Sequence, residues 1–188
     1  NSEARPLSDL FKLKKIKNLT QSFIYSNQQI SLTISGIGKV NAAIGVTQTY
    51  YYFNQKNDNI WINIGLAGHK YLKVGDICTI NKITDNETKK SFFPFINKFK
   101  MQNQECLSVG IQKKRYSSKV YDMESFGFYQ SAYQYSSKEL LQIVKIISDN
   151  QFESIDFKNK EVVYNIILNH KKLINELCSF MLNLRHLS

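Results

Sequence analysis

The sequence contains few of the residues that form disulfide frameworks or structural zinc sites. Its three cysteines, Cys78, Cys106 and Cys178, are widely separated and never follow a C-x-x-C spacing. A sparse, odd-numbered set of this kind predicts neither disulfides nor a zinc site, and it is typical of a reducing compartment such as the cytoplasm. The three histidines form no metal-like pair. No apolar run is long enough to span a membrane, so we expect no membrane partner.

Arginine is also scarce, although the chain is basic. The 188 residues carry a formal net charge of +10, yet only Arg5, Arg115 and Arg185 are arginines, and the lysines are scattered along the chain. Nucleic-acid-binding proteins usually concentrate Arg and Lys on one face and interleave aromatic residues for base stacking. We therefore expect a solvated lysine surface and no nucleic acid partner.

The length and the hydrophobic pattern predict one α/β domain over residues 1–188. A chain of this length can bury one substantial core. Apolar runs and alternating segments predict strands over residues 30–35, 60–64, 77–83, 106–111 and 143–147, and helical spacing predicts helices over residues 39–53, 126–135 and 159–184. The succession of strand, helix and strand indicates a sheet covered by helices.

Candidate ligand-binding turns follow three of the predicted strands. Gly36 follows the first, Leu66-Ala67-Gly68 the second, and Ser148-Asp149 the last. In open α/β sheets, ligands bind beyond the carboxyl ends of the strands. The turn at Gly36 is not a dinucleotide fingerprint, because Asn41 replaces the third glycine, and alone it is typical of a plain strand-to-helix turn.

Two acidic positions suit cleavage of a purine N-glycosidic bond. The departing purine gains negative charge, which a carboxylic acid such as Asp149 relieves by donating a proton; burial beside the apolar Ile146-Ile147 favours the protonated form. A carboxylate such as Glu124 can accept hydrogen bonds from both ribose hydroxyls. Each position has a structural alternative: Asp149 in Ser-Asp-Asn suits a helix N-cap, and Asp122 and Glu124 suit the first turn of a helix.

Taken in order, these motifs resemble the purine nucleoside phosphorylase/nucleosidase superfamily, and in particular its 5'-methylthioadenosine/S-adenosylhomocysteine nucleosidases. The resemblance runs from Glu3 to about Leu184. It implies a three-layer α/β fold with a twisted, mixed central sheet between helices. In the family, a central strand leads directly into the glutamate matched by Glu3; a sheet without that first strand has exposed edges.

The resemblance also implies a role for each motif residue. Asp149, oriented by Ser148, protonates the leaving base, and Glu3 positions and activates the attacking water. Glu124 holds the ribose hydroxyls, and Met123 packs against the ribose. The remaining substrate-binding positions implied are Gly36, Leu66, Ala67 and Gly68. The family needs no metal or organic cofactor, acts on small purine nucleosides, and forms homodimers in which the partner completes the pocket.

Three alternatives to a nucleosidase stay open at this point. A phosphorylase needs fixed cations for phosphate, normally arginines, and their scarcity favours water as the nucleophile, although Arg5 or Arg115 could serve. A catalytically inactive nucleoside-binding protein is the second alternative. It is favoured by Leu66 where nucleosidases often have a small polar residue, by Lys145 near the family's arginine, and by a short segment between Asp76 and Asp122. The third is an electrostatic nucleic acid binder.

Overall fold

The computed structural model describes residues 2–16, 23–53, 57–96, 99–111 and 116–186. The helices of this part of the chain are α1 (Ala4–Leu10), α2 (Lys39–Tyr52), α3 (Ser125–Ala132), α4 (Lys160–Leu168) and α5 (Lys171–Arg185), with a short 3-10 turn at Lys138–Leu140. The strands are β1 (Lys14–Lys15), β2 (Phe23–Ser26), β3 (Ser31–Ile34), β4 (Trp61–Gly68), β5 (Ile77–Asp85), β6 (Ser91–Phe92), β7 (Gln102–Ser108), β8 (Val120–Asp122) and β9 (Leu141–Asp149).

The strands form two separate sheets. The larger has the order β6-β5-β7-β8-β4-β9, and β5 also pairs with β9, so the sheet curls back on itself. Its pairings are mixed: β4 runs parallel to β9, whereas β5 is antiparallel to β9. The smaller sheet is the antiparallel ribbon β1-β2-β3. Strand β9 lies between two partners and all nine of its residues are buried, which explains its nearly continuous apolar sequence.

Helices cover both faces of the large sheet. Ala42 and Val46 of α2 and Phe128 of α3 pack in one hydrophobic cluster with strand residues such as Ile143. On the other face, α1, α4 and α5 pack against residues such as Ile146. The predicted three-layer α/β fold with a mixed central sheet is therefore confirmed.

One predicted helix differs from the structure in a way that matters for packing. The helix predicted over residues 159–184 is two helices, α4 and α5, separated at Asn169 and His170. The prediction of one helix was wrong because the apolar period continues across the break. The ring Nε2 of His170 lies 2.7 Å from the carbonyl oxygen of Gly75, which ties the break to the sheet. Among the described residues, no helix combines the length and hydrophobicity needed to cross a membrane.

The contact between α2 and α3 depends on a glycine. A Cβ atom at Gly127 would lie 1.9 Å from the carbonyl oxygen of Lys39, at the start of α2. Because that neighbour is backbone, it cannot rotate away. We expect Gly127→Ala to lower the free energy of unfolding by about 2–3 kcal/mol and the Tm by roughly 5–10 °C.

Thermal unfolding followed by circular dichroism tests this expectation. Gly110→Ala is the matched control, because the nearest atom to its added Cβ would lie at an ordinary 3.5 Å. Equal Tm values for the two variants would contradict the argument.

Candidate active site

A cavity of about 430 Å³ opens where β3 and β4 end. Glu3, Gly36, Leu66 and Glu124 line this end, and so does Lys145. A volume in this range suits a small-molecule ligand. Four of the residues predicted from sequence, drawn from distant parts of the chain, therefore share one cavity.

Glu124 is held at the junction between β8 and α3. Its Oε1 accepts a hydrogen bond of 2.8 Å from the backbone N–H of Gly38, whose φ of +99° favours glycine. Burial raises the pKa of the Glu124 carboxyl, while the Lys145 ammonium and the Gly38 N–H act against that rise. Only one carboxyl oxygen is bound to Gly38, so the other remains available for donors in the cavity.

Lys145 is a charged residue buried in the interior of the sheet. Its side chain is 1% exposed, and its Nζ lies 2.7 Å from Asp122 Oδ2 and 2.7 Å from Asn63 Oδ1. Burial acts to lower the pKa of Lys145, but the carboxylates of Asp122 and Glu124 outweigh it and the pKa is raised. The lysine is therefore a fixed cation beside Glu124.

Asp122 completes this buried network from the end of β8. Besides Lys145, its Oδ2 accepts hydrogen bonds from the backbone N–H and the hydroxyl of Ser125, at 2.9 and 2.5 Å. Burial acts to raise its pKa, but Lys145 and Ser125 outweigh that effect and the pKa is lowered. Asp122 and Glu124 both precede Ser125, the first residue of α3, and the first turn of that helix has no acidic residue, so the alternative of first-turn acids is wrong.

Glu3 reaches the same region from the residue before α1. Its Oε2 accepts a hydrogen bond of 3.3 Å from the backbone N–H of Leu66. A Cβ atom at Gly65 would lie 3.5 Å from both Glu3 Oε2 and Lys145 Nζ. Both distances are ordinary contacts, so the Glu3 carboxyl and the Lys145 ammonium both lie beside the backbone of Gly65.

Asp149 lies at the end of β9, at the same edge of the sheet, but it is not among the residues that line the cavity. Both of its carboxyl oxygens have hydroxyl partners: Ser148 Oγ is 2.7 Å from Oδ1, and the phenol of Tyr121 is 2.6 Å from Oδ2. The alternative of a helix N-cap at Asp149 is wrong, because the next helix, α4, is capped by Asn159.

Ala67 and Gly68 form the end of β4 beside Asp149 and, like Ser148 and Met123, do not line the cavity. A Cβ atom at Gly68 would lie 2.1 Å from the ring of Tyr121. The glycine therefore makes room for the tyrosine to lie across the strand end and reach Asp149. Met123 occupies the turn between β8 and α3, directly before Glu124.

The sequence alone assigned no role to Tyr121 or Asn63. Their positions could have indicated a role in the site. Asn63 lies two residues before Gly65 on the face of β4 that meets Lys145, and Tyr121 directly precedes Asp122.

The arginines considered for phosphate contribute little here. Arg5 is mostly exposed and lies near Asp9, and Arg115 lies outside the described residues. Arg185 lines the far part of the cavity.

Comparison with known proteins identifies relatives with this architecture. No family model matches the sequence. A 5'-methylthioadenosine/S-adenosylhomocysteine nucleosidase of Staphylococcus haemolyticus (strain JCSC1435) is 32% identical over 107 residues, which is 50% of this chain and 46% of that relative. The matched segment thus spans about half the length of the curated relative.

Solved structures share the fold over nearly the whole chain. The Arabidopsis thaliana 5'-methylthioadenosine nucleosidase in apo form superposes with a TM-score of 0.76 at 12% identity, covering 96% of this chain and 92% of that one. The 5'-methylthioadenosine/S-adenosylhomocysteine nucleosidase of Neisseria meningitidis, solved in complex with methylthio-immucillin-A, gives a TM-score of 0.72 at 20% identity and covers 94% of both chains.

The buried ion pair generates a stability prediction. Lys145→Met removes the cation and leaves the Asp122 carboxylate buried without its charged partner. Breaking a buried pair from one side costs about 3–5 kcal/mol, so we expect the Tm to fall by roughly 10 °C or more.

The double variant Lys145→Met/Asp122→Leu is the informative control for this measurement. Replacing both charges by apolar side chains leaves no uncompensated charge, so most of the lost Tm should return. A single variant that is as stable as the unaltered chain would refute the importance of the pair.

Proposed function

We propose that this chain, a member of the purine nucleoside phosphorylase/nucleosidase superfamily, hydrolyses the N-glycosidic bond of a purine nucleoside of the 5'-methylthioadenosine or S-adenosylhomocysteine kind. The main support is that Glu3 and Glu124, which are far apart in the sequence, line one cavity at the end of the sheet beside Lys145. Relatives named as nucleosidases of these two compounds support the substrate class.

In this reaction Glu124 binds the sugar. Its Oε1 is occupied by the Gly38 N–H, and its second oxygen accepts hydrogen bonds from the ribose hydroxyls. Positive charge develops on the ribose as the bond from C1' to N9 breaks, and a carboxylate next to the sugar stabilises it. Lys145 favours the ionised form of Glu124 although the carboxyl is largely buried.

Glu3 acts on the nucleophile. The water oxygen forms the new bond to C1' and gives a proton to the Glu3 carboxylate. The Leu66 N–H fixes Glu3 Oε2 at the cavity wall. Water is favoured over phosphate because Lys145, the cation nearest to these two acids in the described site, is already paired with Asp122.

Asp149 supplies the proton to the base. The electron pair of the broken bond moves onto the purine, and protonation at N7 neutralises it. Ser148 orients the carboxyl through its hydrogen bond to Oδ1. The phenol of Tyr121 donates a hydrogen bond to Oδ2 and therefore lies between this oxygen and the base. The proton reaches the base either after this phenol moves aside or through its hydroxyl group.

We also propose a homodimer. The exposed side chains of Ile37, Val40, Ile44 and Tyr51 follow one stripe along and just before α2, and Val40 is 71% exposed. An apolar stripe of this length is typical of an interaction surface. Ile37 also lines the cavity, so a partner seated on the stripe would border its opening. A cytoplasmic location is consistent with three free cysteines and a small-molecule substrate.

The decisive assay is release of adenine from 5'-methylthioadenosine in phosphate-free buffer. We expect turnover without phosphate, and a fall in kcat of at least about 100-fold in Asp149→Asn, because the amide has no carboxylic proton to give. Asp156→Asn is the matched control: Asp156 is exposed, and an asparagine can keep its hydrogen bond to the Lys158 N–H.

The outcomes separate the alternatives. Turnover only with phosphate would identify a phosphorylase. Binding of adenine nucleosides without turnover, unchanged in Asp149→Asn, would identify an inactive binding protein. Affinity for nucleic acid that falls steeply with salt would support the third alternative.

The dimer has its own test. Sedimentation should give twice the chain mass, and Val40→Glu should give single chains because it places a charge in the centre of the apolar stripe. Asn175→Glu, on the exposed side of α5, should remain dimeric. Dissociation of both variants, or of neither, would count against the stripe as the interface.

A further inference from the structure

His69 is a buried histidine to which the proposed reaction gives no role. It directly follows Gly68, the last residue of β4, and it is 5% exposed. Both ring nitrogens have backbone partners. Nδ1 lies 3.0 Å from the amide nitrogen of Tyr71 and 2.9 Å from that of Leu72, and Nε2 lies 3.0 Å from the carbonyl oxygen of Ser118. The ring therefore connects two separate stretches of backbone.

These partners fix the protonation state of the His69 ring. The amides of Tyr71 and Leu72 can only donate, so Nδ1 accepts and carries no proton. The Ser118 carbonyl can only accept, so Nε2 carries the proton and donates it. Burial lowers the pKa of His69, although the bond to Ser118 and the Asp76 carboxylate act against this shift, and the ring is neutral as its partners require.

The stretches that the ring connects both border Asp149. One is the turn that follows β4, over residues 69–72, and the backbone N–H of His69 itself donates to the Asp149 carbonyl at 3.0 Å. The other is the segment of residues 116–119 that leads into β8. The end of β4, the end of β9 and the entry to β8 therefore meet at one imidazole.

The entry to β8 matters because it determines where Tyr121 lies. Strand β8 pairs with β7 along its three residues, but its described pairing with β4 is limited to Tyr121 and Gly68. The bond from His69 to Ser118 adds a second link between these two elements, next to Gly68 on one side and three residues before Tyr121 on the other. It therefore helps to hold the phenol that donates to Asp149.

The same segment also carries a second aromatic ring. The ring of Tyr116 packs against that of Tyr121, with 5.8 Å between the centroids and 56° between the planes. Ser118 lies between these two tyrosines in the sequence. A displaced Ser118 would consequently move both rings at this end of the site.

We propose that His69 is a positioning residue for proton donation to the leaving base. It acts through Ser118 and Tyr121 on Asp149, and it contacts neither the substrate nor the reacting atoms. The bond from Nε2 to Ser118 carries this role, whereas the bonds at Nδ1 hold the turn and orient the ring. This inference rests on the proposed function, in which Asp149 supplies the proton.

Two substitutions separate the two sides of the ring. In His69→Asn the side-chain oxygen can replace Nδ1 as the acceptor, but nothing reaches Ser118. In His69→Gln the side-chain amide can replace the Nε2–H donor, but the turn loses its acceptor. In hydrolysis of 5'-methylthioadenosine, kcat should fall about 10-fold in the Asn variant with KM changed less than about 2-fold, and the Gln variant should recover most of kcat.

His170→Asn is the matched control. His170 also uses Nε2 to bind a backbone carbonyl, that of Gly75, but this bond does not involve the segment that leads into β8. Because each Asn variant loses one ring hydrogen bond, both should lose roughly 5 °C of Tm. The kcat of His170→Asn should nevertheless equal that of the unaltered chain.

A double variant tests whether His69 acts through Asp149. Two residues that work through one group have effects that do not add. Adding His69→Asn to Asp149→Asn should therefore change kcat by less than about 2-fold. A further fall of about 10-fold in the double variant would show an independent effect and would overturn the proposal.

A spectroscopic readout keeps the test independent of turnover. In chains labelled with carbon-13 at the tyrosine hydroxyl carbon, Tyr121 is assigned with Tyr121→Phe, and its signal reports the hydrogen bond to Asp149. The signal should shift in His69→Asn toward its position in Asp149→Asn, and it should stay in place in His69→Gln and His170→Asn.

Two results would overturn the proposal. One is equal kcat and an equal Tyr121 signal in the Asn and Gln variants of His69, which would leave the ring with a role in the turn alone. The other is a Gln variant that loses as much kcat as expected for Asn, and this result decides the matter even if His69→Asn does not fold. Absence of turnover in the unaltered chain would instead contradict the proposed function, and the Tyr121 signal would still test the position of the phenol.

Discussion

The ion pair between Lys145 and Asp122 is the interaction on which the rest of the site depends. A lysine in the middle of β9 has no access to water, so its charge requires a partner within the core. Asp122 provides it from β8, and Asn63 provides a further acceptor from β4. The pair thus fixes three strands at one point. Glu124, two residues beyond Asp122, is placed at the cavity as a consequence.

The positive charge of Lys145 also stabilises the cluster of acidic side chains around it. Glu3 and Glu124 repel each other and Asp122, and burial disfavours the ionised form of Glu124. The fixed ammonium of Lys145 acts against both effects, although the pKa of Glu124 stays raised. Asp122 and Asn63 take two of the three N–H donors of the Lys145 ammonium.

The sequence predicted the fold class and much of the cavity, for an identifiable reason. Strand β3 and helix α2 show clear periodicity and were predicted almost to the residue. Because ligands bind beyond the carboxyl ends of the strands, Gly36 and Leu66 could be expected at one site, whereas the position of Glu124 was implied only by the family resemblance, since β8 runs antiparallel to β4. The partner of Lys145 could not be predicted, since pairing across the sheet depends on the register of β8 and β9. The organisation of residues 1–188 as one domain stays a prediction. The role of each site residue also stays a prediction.

Tyr121 changes how the chemistry at Asp149 must be understood. A carboxyl that lines a cavity can meet a base directly, but Asp149 lies behind a phenol that Gly68 allows across the strand end. Burial is the largest cause of the raised pKa of Tyr121, so this phenol keeps its proton at neutral pH. In the proposed reaction, the phenol can therefore give its proton to the base only if it receives another proton from Asp149. In that proposed reaction, the acid and its phenol therefore act as one proton-donating unit, and a base that reaches either group draws on both.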